Sequence, residues 1–390
     1  MGSGSMALPQ GIFRLLPISL LQAQLMRRKT MGVSTAKVLV ISTFLIIGMV
    51  LAGVLMQPKT SLDAWNVKES DFPANASSEE KLTFLLRYAI LAPSSYNTQP
   101  WNFNISGNQI DIFADKSGWL QVADPDYREL YLSLGCCLEN LRVSADHFGY
   151  NCSLTYFPGP KDLVARVVLQ PGASPTMDPR LFSAIPSRLT NRNLYEEKAI
   201  TDADLITLRS FGSDKDVRTS FVTDSTTKKK FLDLVVRADQ IQYSDANFKS
   251  ELGHWLSQGG MGPVGIQAKI DQMQVVFLDN GPDQIRMDSE LINSTPYLGF
   301  ISTQNNDSKS QVLAGQTLER LWLAATALGV SLHPMSQALE VPETKKELDR
   351  LLPVEAGSTQ YVQQTFRLGY AEPVKEHTPR RALEDVLIKE

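Results

Sequence analysis

Two stretches of this 390-residue chain, 180 positions apart, share one pattern, and that duplication constrains the architecture more than any other feature. Residues 135–149 read Gly-Cys-Cys-Leu-Glu-Asn-Leu-Arg-Val-Ser-Ala-Asp-His-Phe-Gly, and residues 315–329 read Gly-Gln-Thr-Leu-Glu-Arg-Leu-Trp-Leu-Ala-Ala-Thr-Ala-Leu-Gly. Gly, Leu, Glu, Leu, Ala and Gly coincide. Each stretch has helical spacing, ends at a glycine (Gly149 or Gly329) and leads into a strand-like run. Self-similarity at a fixed offset marks a repeated structural unit. The expected fold is therefore α+β, built from a duplicated lobe. At 43% hydrophobic and 21% charged residues, the chain can bury cores of that size.

The two halves carry different polar segments. Residues 92–101 read Ala-Pro-Ser-Ser-Tyr-Asn-Thr-Gln-Pro-Trp. They follow an amphipathic run with apolar residues at Leu82, Leu85, Leu86, Ala89 and Ile90, which Pro93 stops. The loop that follows offers the side chains of Ser94, Ser95, Asn97 and Gln99 but no strong acid or base, a composition suited to holding a ligand. Trp101 then opens an alternating strand. The second half begins with Ser187-Arg-Leu-Thr-Asn-Arg-Asn193, which puts Arg188, Thr190 and Arg192 at alternate positions. In an extended backbone these share a face and can converge on one anion, for which a phosphate is the natural candidate. Taken alone, such a segment is more often a solvated loop, and the same holds for Pro379-Arg380-Arg381.

Together these segments resemble the FMN-dependent nitroreductase family over roughly residues 80–390. The family pattern combines an R-x-S-x-R segment, here Arg188 to Arg192, with an A-P-S-x-x-N-x-Q-P-W segment, here Ala92 to Trp101. It adds a G-x-x-L-E-x-L-x-x-A-A-x-x-x-G helix, here Gly315 to Gly329, and a basic segment near the C-terminus. Ordinary members place the arginine segment first and share each FMN between two identical subunits. The order here is reversed and looks like the single-chain Acg-like branch, in which one polypeptide mimics the dimer. The resemblance implies one FMN site between the lobes. Arg188, Thr190 and Arg192, with Arg380 or Arg381, would take the phosphate and ribityl end. Ser94, Ser95, Asn97 and Gln99 would face the ring, and His333, Pro334, Met335 and Ser336 would lie where the family sets backbone against it. It further implies NAD(P)H as reductant and a nitroaromatic, quinone or similar small molecule as acceptor, with no catalytic side chain of the protein's own and no metal. An FMN-storing protein with a lidded site is the alternative.

The first five residues look like a tag remnant. Val38 to Met56 is a run of 19 uncharged residues, about 28 Å long as a helix against the ~30 Å core of a bilayer. It reads as a membrane segment or a long signal core, taken here as a retained anchor. Arg27, Arg28, Lys29 and Lys37 precede it, which places the large domain outside the cytoplasm, or exported if the segment is cleaved. The expected division is 1–36 for remnant and basic tail, 37–56 for the span, 57–72 for a linker, 73–186 for the first lobe and 187–390 for the second. A net charge of −4 argues against nucleic acid as partner, and duplication within one chain permits a monomer.

Other motifs read as structural. Gly260-Met-Gly-Pro-Val-Gly265 matches G-x-G-x-x-G but lacks the preceding strand, so a mobile loop or lid is expected. His147, His254, His333 and His377 lack metal-ligand spacing. Asp124 and Asp126 flank Pro125 in a turn suited to capping the next helix. Cys136, Cys137 and Cys152 read as buried free thiols.

Overall fold

The computed structural model describes residues 60–160, 162–172, 174–352 and 360–388. The expected span at 38–56 lies outside the described residues; among those described, no helix is long and apolar enough to cross a membrane.

After a two-residue strand, β1 (Thr60–Ser61), the first lobe runs through helix α1 (Ser78–Ala89), strands β2 (Trp101–Ser106) and β3 (Gln109–Ala114), helix α2 (Arg128–His147), and strands β4 (Tyr150–Tyr156) and β5 (Leu163–Pro171). A capping box of Ser77 and Glu80 starts α1. Asp124 accepts from the Glu129 and Leu130 N–H groups at the head of α2, in the capping role its turn suggests. Helices α3 (Pro179–Ala184) and α4 (Asp202–Phe211) lead to the second lobe. That lobe comprises β6 (Val217–Val222), helices α5 (Ser225–Ser244), α6 (Ala246–Ser257), α7 (Ile266–Phe277) and α8 (Gly281–Asn293), strand β7 (Tyr297–Thr303), helix α9 (Ser308–Ala327), β8 (Ser331–Pro334), the short helices α10 (Gln337–Glu340) and α11 (Pro342–Leu348), and β9 (Tyr361–Gly369). The chain closes with β10 (Arg380–Arg381) and α12 (Leu383–Val386).

Both four-stranded sheets are antiparallel, ordered β2-β3-β5-β4 and β6-β7-β9-β8. These are the same order, with each repeat helix entering between the second and third strands of its lobe. Gly149 and Gly329 end those helices in the left-handed region, at φ 77° and 70°.

The repeat helices α2 and α9 cross at their first glycines. A Cβ on Gly135 would stand 2.1 Å from the Val312 carbonyl oxygen, and one on Gly315 would stand 2.0 Å from that of Leu132. No side chain fits there, so the backbones touch, and Cys136 Sγ lies 3.2 Å from the Gly315 carbonyl. A single apolar core runs through both helices, joining Leu134, Leu138 and Leu141 to Val312, Leu318 and Leu321. The C-terminal tail returns to the first lobe: β10 pairs with β1, and the Ile388 N–H donates to the Phe103 carbonyl at 2.8 Å. The stretch expected to belong to the second lobe alone thus covers part of the first.

Candidate active site

The loop at 92–101 and the basic segment at 379–381 lock together. Asn97 Nδ2 donates to the Pro379 carbonyl (2.8 Å), and Arg380 Nη1 donates to Asn97 Oδ1 (3.0 Å). The Arg381 N–H donates to Gln99 Oε1 (2.8 Å), while Arg381 Nη1 reaches the Gln99 carbonyl (3.0 Å) and Asp115 (2.9 Å). Ser94 Oγ accepts from the Gln99 N–H (2.9 Å), and Ser95 Oγ donates to Glu129. Tyr96, Asn97 and Gln99 all sit at positive φ, 50°, 54° and 53°. Each costs on the order of 1–3 kcal/mol in a residue other than glycine. The contacts just named hold that strain in place, and so the side chains expected to face a ligand are largely spent on shaping the loop.

Arg188 and Arg192 separate. Arg188 is 3% exposed; its Nε lies 3.2 Å from buried Glu319, its Nη2 donates to the Leu91 carbonyl (3.0 Å), and its guanidinium stacks over Trp322 at 4.6 Å. The approach to Glu319 is oblique, so Nε gains charge contact without a directed hydrogen bond. Arg380 Nη2 donates to the same Leu91 carbonyl (3.2 Å), and burial together with Arg188 lowers its pKa to about 9. A carboxylate as deeply buried as Glu319 must be paired, and this requirement overrides the expectation that Arg188 would share one anion with Arg192. Pairing only slows the rise of the Glu319 pKa, which burial carries to about 7.

Arg192 points the other way. Asn191 beside it donates to Ser331 Oγ (3.1 Å) and the Glu372 carbonyl (2.9 Å). Among the described residues Arg192 makes no hydrogen bond or ion pair and is exposed, while Thr190 near it is half-buried. Surrounding protein nonetheless lowers the Arg192 pKa, opposed by Asp288. Arg367, from β9, is fully buried. Its Nη1 donates to the Leu291 carbonyl (3.1 Å), and its Nη2 lies 2.9 Å from His333 Nδ1. Burial first, then Arg367 and Arg192, hold the His333 pKa far below its usual value. The ring is therefore neutral, with Nδ1 accepting and the proton on Nε2. Pro334 pairs with Phe366 across the sheet. Met335 is a core side chain whose N–H donates to the Thr365 carbonyl (2.8 Å), and Ser336 Oγ meets the Gln364 amide at 3.2 Å.

The glycine-rich segment lies over the loop. A Cβ on Gly260 would come 3.1 Å from the Tyr96 carbonyl, and Gly259, Gly262 and Gly265 take φ values of 73°, 137° and 66°. Glu251 on α6 accepts from the Val122 and Ala123 N–H groups (3.1 and 2.9 Å), tying α6 to the first lobe. A surface cleft of about 390 Å³ by Lys230, Arg237, Glu347 and Arg350 shares none of these residues.

No protein-family model matches the chain. Over 322 residues it is 27% identical to Rv3131 of Mycobacterium tuberculosis H37Rv, whose name assigns it provisionally to the NAD(P)H nitroreductases; 79% of this chain and 91% of the relative are covered. The Acg protein of the same strain, provisionally so named as well, is 24% identical over 313 residues, 77% of this chain and 93% of its own. Over most of its length the chain is thus similar to two proteins provisionally named NAD(P)H nitroreductases. Among solved structures, a BluB-like flavoprotein from Clostridium difficile 630 matches 55% of this chain and all of its own, at 14% identity and a TM-score of 0.38. A nitroreductase with bound FMN from Desulfitobacterium hafniense DCB-2 matches 51% of this chain and 93% of its own, at 13% identity and a TM-score of 0.34.

Glu319 stands in the repeated pattern but its pairing with Arg188 does not show there, and Arg367 and Glu129 belong to none of the motifs. Arg367 does leave a trace, a lone charge inside the otherwise apolar and amide-rich strand Tyr361–Gly369.

Proposed function

We propose that this chain is an FMN-dependent oxidoreductase that takes hydride from NAD(P)H and passes it to an electron-poor acceptor such as a nitroaromatic or a quinone. Arg192 carries the reading: among the described residues it is an exposed guanidinium without a hydrogen-bond or ion-pair partner, free to meet an anionic cofactor. The names of the Acg-type relatives support the reaction class. When bound, FMN supplies the hydride chemistry. Arg192 would balance its phosphate, with Thr190 beside it. Neutral His333 can donate from Nε2, and the strained loop at Ser94 to Gln99 fixes the opposite wall. The lobes would then act as the two halves of a dimer within one chain.

An FMN-storing role is favoured by one observation, the seating of Gly260 on the Tyr96 carbonyl, which narrows access from above. A visible absorbance scan of the purified full chain tests cofactor binding, and NADPH oxidation with a soluble quinone tests turnover. Flavin bands with turnover are expected. Flavin bands without turnover would leave storage, and a colourless protein that takes up no added FMN overturns both readings. A membrane tether belongs to the same proposal and rests on the uncharged run at 38–56; its test is whether the full chain stays with membranes under alkaline extraction.

A further inference from the structure

Residues 60–72 lie outside the stretch, roughly 80–390, that carries the family resemblance, and as part of a linker they would have no task at the site. They are packed down instead. Phe72 stacks on Phe148 with ring centroids 4.3 Å apart, and Glu69 Oε1 lies 2.8 Å from His147 Nε2. At the other end β1 pairs with β10, Thr60 opposite Arg381 and Ser61 opposite Arg380. Between these points Trp65 meets the same tail: its Nε1 donates to the Thr378 carbonyl (2.9 Å), its ring stacks on His377 at 3.9 Å, and the Arg380 guanidinium lies 4.7 Å from its centroid.

The tail needs such a fastening at this end. Residues 370–379 have no regular secondary structure, so no ladder opposes their conformational entropy. Where they leave β9, Asn191 Nδ2 and Asn193 Nδ2 both donate to the Glu372 carbonyl at 2.9 Å. Where they reach the 92–101 loop, the demand falls on Arg380. It is 3% exposed and its Nε has no acceptor; Arg188 and Arg381 have carboxylates at 3.2 and 2.9 Å, whereas Arg380 has none among the described residues. A charge taken out of water must be compensated, and a desolvated guanidinium gains most from an aromatic face. Trp65 supplies that face. Burial, then Arg380 and Arg188, hold the His377 pKa below its usual value, so the ring stacked on Trp65 is uncharged and adds no competing cation.

The consequence reaches the strained loop, because Arg380 Nη1 and the Pro379 carbonyl both bond the Asn97 amide, and the Arg381 N–H bonds Gln99. Asn97 and Gln99 are two of its positive-φ residues. We infer that Trp65 belongs to the cofactor site as a positioning residue: it holds Arg380, and through Arg380 keeps the 92–101 loop in the shape that receives the flavin. The inference rests on the FMN reading and extends the site to a segment ahead of both lobes.

Limited trypsin digestion of the full chain without added flavin is the first test. The bonds after Arg380 and Arg381 are cut only when the tail lifts, and a general loss of stability would speed cutting throughout the chain, so the quantity read is cutting at these two bonds relative to the rest. Trp65→Ala should raise that ratio on the order of tenfold or more, since cleavage follows the population of the opened form. FMN affinity by fluorescence titration is the second test, and there Trp65→Ala should weaken binding about tenfold as the closed arrangement falls to about a tenth of the population. Trp65→Phe keeps an aromatic face over the guanidinium, loses only the N–H to Thr378 and should recover most of both. Should Trp65→Ala fail to fold, Trp65→Leu, which keeps apolar bulk against the core, takes its place. Wild-type trypsin ratios in Trp65→Ala, wild-type FMN affinity in a variant whose tail opens, or a Trp65→Phe protein as impaired as Trp65→Ala would each overturn the inference. A wild type that takes up no FMN overturns the role at the site through the FMN reading, while the trypsin comparison alone decides whether Trp65 holds the tail.

Discussion

The two lobes share a strand order but differ in one connection. In the first, β2 and β3 are joined by a hairpin of Gly107 and Asn108. In the second, the equivalent strands β6 and β7 are separated by residues 223–296, which fold into α5 to α8. That insertion supplies the segment over the 92–101 loop. The lobe with the short hairpin contributes the strained loop. Duplication thus provides a symmetric frame, and a single unequal connection makes one side of it a covered site.

The frame is the first thing to break. Gly315→Ala or Gly135→Ala would drive a methyl group into the backbone of the facing helix, at 2.0 or 2.1 Å. Overpacking ordinarily costs about 1–3 kcal/mol, and a clash with backbone has no side chain to give way. Either variant should exceed that range and lose the cooperative thermal transition. A variant with wild-type Tm would refute the crossing as the joint of the molecule.

The equivalent glutamates sharpen the comparison. Glu139 has Arg142 at 2.9 Å, Arg320 at 3.1 Å and Gln316 at 3.0 Å, and both arginines keep contact with solvent. Glu319 has the fully buried Arg188. Glu319→Ala strands that guanidinium and should cost about 3–5 kcal/mol, clearly more than Glu139→Ala, whose arginines can turn outward. Denaturant unfolding of the pair measures the difference. Glu319 also predicts a pH dependence. Its folded pKa of about 7 lies above the ordinary 4.5, so its stabilisation is complete below about 4.5 and is lost as pH rises through about 7. The slope is at most about 1.4 kcal/mol per pH unit. Glu319→Gln should flatten that part of the profile.

These residues also show what the sequence discloses. The repeat is visible because crossing glycines, helix-ending glycines and core leucines are local requirements that each copy must meet separately. The loop at 92–101 is visible because its turn chemistry is contiguous. Pairings are not: Arg188 and Glu319 stand 131 positions apart, and alternation along an extended segment cannot reveal that one of two arginines is claimed by a buried carboxylate.

Arg192 should give the smallest effect on stability, and for that reason the clearest test of which arginine serves the ligand. It has solvent access and no hydrogen-bonded partner, so Arg192→Ala should change unfolding free energy by no more than about 0.5 kcal/mol. A charge-assisted hydrogen bond to an anion is worth about 1.5–3 kcal/mol, so the same variant should bind FMN at least tenfold more weakly by fluorescence titration. Arg188→Ala should behave oppositely in the first respect, destabilising the fold because Glu319 loses its cation. If Arg192→Ala kept full FMN affinity, the anion would have to be met by Arg188 and Arg380. Both would then have to leave the Leu91 carbonyl, and the pairing of Arg188 with Glu319 would describe only the ligand-free arrangement of the joint between the lobes.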